Sequence, residues 1–300
     1  WISKTLIILI FIINFLFLNK EIKDQSILYS GDSKYGYLEI KDFKDFYILR
    51  SNKGMLFAQS IFYKNQEYKE NKGRIDIYDM FEISPFINNS KKVLLLGLGA
   101  GTIPYFYKDI PDLTLKAVEI DLRVADLGFE FFHLGEAKNL EIKIEDARLF
   151  LNKNQEKFDL VEVDLFKGMG ETPFYLDTYE SFSHIKNSLS ENGIMAMNIY
   201  DGSDGGIIIS PTINTIASVF KNVYLVDLNS GSHFILASHN EIKLENLLSS
   251  SKMSDFFYKK TASFLSQNIK KIDFDESKLV FTDDSSPLEK LNYQAIFKSL

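Results

Sequence analysis

Val93–Thr102 reads VLLLGLGAGT, and Ala117–Asp121 reads AVEID. The first stretch is an apolar run that ends in a glycine turn. The second ends in a carboxylate about 20 residues further on, the interval at which a ribose-binding acid follows such a turn. Gly97, Gly99 and Gly101 let the backbone bend sharply and come close to a ligand, because a residue without Cβ tolerates conformations and approaches closed to the others. Glu119 stands where a ribose diol would lie. The pairing marks a nucleotide- or adenosyl-binding α/β domain.

Outward from this pair, apolar runs near 93–96, 115–120, 140–144, 158–163 and 193–199 alternate with helical stretches, the pattern of a parallel sheet wrapped by helices. Two further runs, Val223–Leu228 and His233–Ser238, flank the turn NSGS and read as a closing antiparallel hairpin. Five alternating units and a hairpin predict a class I S-adenosylmethionine-dependent methyltransferase-like (Rossmann-like) α/β sheet. A dinucleotide fold would continue with parallel strands. Upstream, GYLEI, FYILR and GMLFAQSIFY alternate over short spans and predict a small antiparallel β-unit. The expected organisation is a β-unit at 26–87 and an adenosyl-donor domain at 88–300.

Thr5–Leu18, TLIILIFIINFLFL, is almost wholly apolar. Counted from Trp1 it gives about 27 Å of helix against a hydrocarbon core of about 30 Å. Trp1 at one edge and Lys20 and Lys23 at the other suit interfacial anchors, so residues 1–20 are expected to form a transmembrane or membrane-anchor helix. A chain opening on Trp1 also reads as part of a longer protein.

Composition narrows the function. A net charge of −7 disfavours a duplex nucleic-acid binder, which needs a basic face, and suits a cationic or small-molecule substrate. No cysteine is present, which excludes disulfides, thiolate metal sites and a cysteine nucleophile, and four scattered histidines leave no metal centre expected. No G-x-S-x-G elbow marks a serine hydrolase, and GLGAGT lacks the lysine of a phosphate-binding loop. In a parallel sheet the ligand lies beyond the carboxyl ends of the strands. Those ends carry Glu119 and Asp121, then Glu145, Asp146 and Ala147, then Asp164 in VEVDLFKG. A carboxylate after the third strand can accept from an adenine amino group, and one after the fourth can meet the reacting end of the ligand. Either aspartate could equally cap a helix.

Taken together, GLGAGT, VEID, EDARLFL, VDLFKG, PFYLDTYESF and TDDSSPLE, preceded by DSKYG, Gln59 in LFAQS and Tyr78-Asp79-Met80, resemble the spermidine synthase family of polyamine aminopropyltransferases. The resemblance is to its bacterial, membrane-linked branch and runs from about Asp32 to Leu291. It implies transfer of an aminopropyl group from decarboxylated S-adenosylmethionine to a polyamine such as putrescine, leaving methylthioadenosine, with no metal. By resemblance, Glu119 holds the ribose, Asp146 and Ala147 the adenine, and Gln59, Gly97, Gly99, Gly101 and Asp121 belong to the donor site. Asp164 would deprotonate the attacking amine. Tyr78 and Asp79 would contact substrate.

Two positions depart from the family. Ala100 stands where an Asp anchors the donor amine, and Lys167 stands where a second acid holds the acceptor. Asp177, or Asp283 and Asp284 with Glu289, could supply the missing negative charge. The departures leave two alternatives open: a methyltransferase using intact S-adenosylmethionine on the same fold, and a non-catalytic adenosyl- or polyamine-sensing domain of a membrane protein. A homodimer is compatible with each. Because the donor is made in the cytosol, residues 26–300 are expected on the cytoplasmic side.

Overall fold

The computed structural model describes residues 26–51, 58–166, 172–201, 206–228, 231–250 and 255–298. The expected anchor at residues 1–20 lies outside them. Among the described residues, no helix is long and apolar enough to cross a membrane.

The first layer is an antiparallel sheet of β1 (Ile27–Asp32), β2 (Tyr37–Asp42), β3 (Phe46–Ser51) and β4 (Ser60–Tyr63), in that order. Its inner side chains, Leu38, Ile40 and Leu49, pack on Ala100, Val124, Leu127 and Phe132 of the next layer. Two short helices follow, α1 (Gln66–Asn71) and α2 (Ile77–Ile83), which strand alternation did not show. Asp76 opens α2 as a reciprocal capping box with Asp79.

An eight-stranded sheet comes next. It contains β5 (Lys92–Leu96), β6 (Thr114–Glu119), β7 (Leu140–Ile144), β8 (Phe158–Val163), β9 (Leu189–Tyr200), β10 (Asn222–Asp227), β11 (Ser232–Ser238) and β12 (Lys270–Ile272). The strand order is β12-β10-β11-β9-β8-β5-β6-β7. The central strands β7, β6, β5, β8 and β9 pair in parallel, and β11, β10 and β12 close the sheet antiparallel, as the hairpin reading predicted. Val93 to Leu96 are fully buried because both faces are covered. Their alternation sorts them between the two cores: Leu94 and Leu96 face the cluster of Phe150, Phe182 and Met197, while Val93 and Leu95 face that of Phe81, Tyr107 and Phe234.

The covering helices are α3 (Thr102–Tyr107), α4 (Leu122–Phe131), α5 (Ala147–Lys153), α6 (Tyr179–Ser188), α7 (Ile209–Val219), α8 (Glu245–Ser249), α9 (Phe256–Asn268) and α10 (Leu288–Lys298). β5 lies at the point where the chain order reverses, with β6 on one side and β8 on the other, so the ligand crevice is expected at its carboxyl end.

Polar contacts join the two sheets at the glycine turn. Thr102 Oγ1 accepts the Ile61 N–H at 2.9 Å and donates to the Ile61 carbonyl at 3.0 Å, and Ser60 Oγ accepts the Ala100 N–H at 2.8 Å. Thr102→Val keeps the volume and leaves both Ile61 backbone groups without that partner. A loss of about 2 kcal/mol is expected, measured by denaturant unfolding.

Candidate active site

Three backbone hydrogen bonds carry the ladder one step past the strand ends. Gly97 N–H reaches the Val118 carbonyl, Asp164 N–H the Leu96 carbonyl and Glu145 N–H the Glu119 carbonyl, each at 2.9 Å. They hold the segments after β5, β6, β7 and β8 side by side around one cavity of about 470 Å³, a size suited to a small-molecule ligand. Gly97, at φ +93°, is required by protein rather than by ligand. A Cβ there would stand 2.2 Å from the Asp164 carbonyl oxygen.

Of the residues expected in the site, Gln59, Tyr78, Gly97, Gly99, Glu119, Asp121, Asp146, Ala147 and Asp164 all line this cavity. Glu119 accepts the Gly99 N–H at 3.1 Å on one oxygen and the Asp121 N–H at 2.9 Å on the other. Burial pushes its carboxyl up to about 7, against the opposing effect of those backbone donors. Asp121 and Asp146 are both helix N-caps, for α4 and α5. Asp146 Oδ1 takes the Leu149 N–H at 3.0 Å, and its Oδ2 takes the Tyr175 hydroxyl at 2.9 Å. The cap and the cavity position thus belong to one residue. Asp164 is buried and pushed up to about 6, with the Asn198 amide, 2.9 Å away, opposing the shift. Tyr78 donates to the Gln59 carbonyl at 2.9 Å, which ties α2 to the end of the first sheet.

Five expected residues do not line the cavity. Gly101, at φ +99°, packs on Leu134, where a Cβ would come within 2.5 Å. Asp79 is held inward by the capping box and by Lys72 Nζ at 2.8 Å. Burial and the Asp76 charge push its carboxyl up to about 6. Asp177 is buried, where it accepts the Thr212 hydroxyl at 2.7 Å. Asp283 ties the Thr282–Ser285 turn to Arg148 and, at 2.7 Å, to Thr178, while Asp284 is exposed in that same turn. Lys167 lies outside the described residues. Ala100, the position of the family's acid, is fully buried against Leu38, Ile40 and Leu49.

The sequence reading missed Asn198, Tyr175 and Asn292. Asn198 ends the apolar run of β9 and answers to the same rule that found Asp164, a polar residue closing a buried strand. Tyr175 meets Asp146 from 29 residues away, and no local pattern announces it. The lining includes six carboxylates, Glu119, Asp121, Glu145, Asp146, Asp164 and Glu289, and no lysine, arginine or histidine among the described residues.

Residues 82–225 match the spermine/spermidine synthase domain. The chain is 28% identical over 295 residues to a probable polyamine aminopropyl transferase of Bifidobacterium longum, a match covering 91% of this chain and 64% of that protein. It is also 29% identical over 214 residues to an N-terminal histidine N-methyltransferase of Emericella nidulans, covering 65% of this chain and 37% of the relative. The chain thus spans less than two thirds of the length of either relative. Among solved structures, a probable spermidine synthase from Corynebacterium glutamicum superposes with a TM-score of 0.63 at 20% identity, over 87% of this chain and 98% of the other, a likeness of fold.

Burial of Asp164 has a consequence for the stability of the fold. Its folded carboxyl binds a proton up to about pH 6, whereas the unfolded one releases it near pH 4. The native state therefore holds more protons in that window, and the group's contribution to stability falls as pH rises through it. Asp164→Asn is expected to stabilise the fold at pH 7 to 8 by up to about 3 kcal/mol. Paired thermal melts should show the advantage shrinking as the pH falls from about 6 to 4.

Proposed function

We propose that this chain transfers an aminopropyl group from decarboxylated S-adenosylmethionine to an amine acceptor such as putrescine. The observation that carries this reading is the cavity lined by six carboxylates and, among the described residues, by no cation. The decarboxylated donor is a sulfonium with an ammonium and no carboxylate, so the whole reacting arm is positive. Intact S-adenosylmethionine would bring an α-carboxylate into this acidic surround with no basic side chain among the described lining residues to meet it, a repulsion that a partly desolvated site strengthens.

Glu119 would take the ribose hydroxyls. Each of its oxygens accepts one backbone N–H and keeps a lone pair free, which suits a diol. Asp146 and Ala147, at the start of α5, would hold the adenine, and Gln59 and Asp121 would flank the donor. Asp164 would orient the acceptor ammonium and take its proton. The freed lone pair attacks the methylene carbon next to sulfur, the new C–N bond forms as the C–S bond breaks, and sulfur keeps that electron pair as neutral methylthioadenosine. A carboxyl raised to about 6 is a better base for this step than an ordinary aspartate and is still ionised at pH 7. The first sheet, reaching the cavity through Gln59, Ser51 and Tyr35, would cover it and exclude water.

The methyltransferase relative and Ala100 favour a second reading, methyl transfer from the intact donor on the same fold. A non-catalytic sensing role is the third. Calorimetric titration of the chain with decarboxylated S-adenosylmethionine, S-adenosylmethionine and methylthioadenosine separates them. The expected order is tighter binding of the decarboxylated form than of the intact one, with Glu119→Ala weakening all three. Preference for the intact donor would transfer the case to methylation, and binding without turnover would favour sensing. Turnover, where present, should fall on the acid side with an inflection near pH 6 and be lost in Asp164→Asn.

We also propose that residues 1–20 anchor the protein to a membrane with the catalytic part on the cytoplasmic side, on the strength of the apolar run Thr5–Leu18. Alkaline carbonate extraction should leave the chain in the membrane pellet, and release into the supernatant would refute the anchor.

A further inference from the structure

We infer that Glu289 and Asn292, from the C-terminal helix α10, hold the far, non-reacting ammonium of a diamine acceptor. The inference rests on the aminopropyl-transfer reading. Helix α10 is fixed over the site by Leu288, 1% exposed, which packs in the core cluster that also holds Val163, Met197, Ile199 and Phe281. Glu289 and Asn292 stand three residues apart and share a face. Both line the cavity that contains Asp164.

Two orphaned amides point to a ligand rather than to a structural role. Asn292 is only 6% exposed, yet its side chain has no hydrogen-bond partner among the described residues. The other buried amides differ: Asn198, Asn214 and Asn222 all donate to a named acceptor. Buried polar groups in native folds are paired, so an unpaired one in a cavity wall is left for an occupant. The second orphan is Asn198 Oδ1, which finds no donor while its amide nitrogen is committed to Asp164. An ammonium supplies three N–H donors and fits such oxygen-rich surroundings.

Position along the sheet edge assigns the end of the acceptor. Asp146 and Glu119 follow β7 and β6, on one side of the glycine turn, and the donor's adenosyl part belongs there. Asp164 follows β8 on the other side, and Asn198 and Tyr200 on β9 and Ser232 on β11 extend the wall beyond it. An acceptor that places its reacting nitrogen at Asp164 therefore extends away from the adenosyl side. Glu289 is the cavity acid supplied by the C-terminal helix, and it has no ion-pair partner among the described residues. It supplies negative charge to the cavity of a chain in which Lys167 replaces the family's acid.

The test compares 1,4-diaminobutane with butylamine, which has the same carbon chain but no second charge, in the full chain with decarboxylated S-adenosylmethionine. In Glu289→Gln the ratio of kcat/KM for diamine over monoamine should fall about three- to fivefold, the effect of losing one partly exposed ion pair. The change should lie in KM, and Glu289→Asp should retain most of the preference. An unchanged ratio in Glu289→Gln overturns the inference. Should the chain show no transfer, calorimetry of 1,4-diaminobutane on the methylthioadenosine-loaded protein reads the subsite separately. Diamine binding that weakens in Glu289→Gln and Asn292→Ala sustains the subsite while the transfer reading falls, and equal binding by the variants, or none by the original chain, overturns it.

Discussion

Gly97 can lie against the Asp164 backbone only because it has no Cβ, and the site depends on that contact. The approach allows β5 and β8 to end level with each other at the point where chain order reverses, with the Asp164 N–H on the Leu96 carbonyl and the Gly97 N–H on the Val118 carbonyl. Three strand ends are thereby locked in one register. The carboxylates that follow them are placed by backbone hydrogen bonds rather than by flexible loops, which is how a cavity wall keeps its acids within hydrogen-bond reach of a small ligand. Any side chain at position 97 would push the Asp164 segment outward and disturb the wall before a ligand was met.

That arrangement explains what the sequence made legible. Strand ends could be located because five apolar runs give way to polar residues, and Glu119, Asp146 and Asp164 stand at three of those ends. Asp79 does not line the cavity for a local reason: with an aspartate three residues earlier it completes a capping box, and Lys72 pairs with it. Asp177 and Asp283 stand outside it for a distant one. Their partners, Thr212 and Arg148, lie 35 and 135 residues away in the chain. Acidic residues announce themselves in a sequence whether they face a ligand or tie two helices together, and only packing separates the two uses. Asn198, Tyr175 and Asn292 were hidden by the converse problem, since amides and tyrosines carry no charge pattern.

The cavity is a stability liability in the absence of ligand. Glu119 and Asp164 are held in surroundings that disfavour their charged forms, and both carboxyls rise toward neutrality. A cationic ligand reverses the balance, because it provides the countercharge that burial removed. Such a site discriminates by charge before it discriminates by shape. Ala100 carries no such charge: its side chain fills a core joining the two sheets.

Glu162 shows how the charge at Asp164 is kept single. It lies two residues earlier on β8, fully buried, and takes hydrogen bonds from Ser84 and Tyr107 at 2.5 Å each. Burial, with the Asp164 charge adding to it, pushes its carboxyl up to about 8. At pH 7 Glu162 is therefore chiefly a neutral acid, so the strand presents one negative charge near the cavity rather than two. Were it ionised, mutual repulsion would raise Asp164 further. The hydroxyls of Ser84 and Tyr107 can serve a neutral carboxyl without compensating a full charge, and they come from the turn that follows α2 and from the end of α3, packed on the face of the sheet that also carries Phe81. The core beneath the site thus sets the protonation of the residue above it.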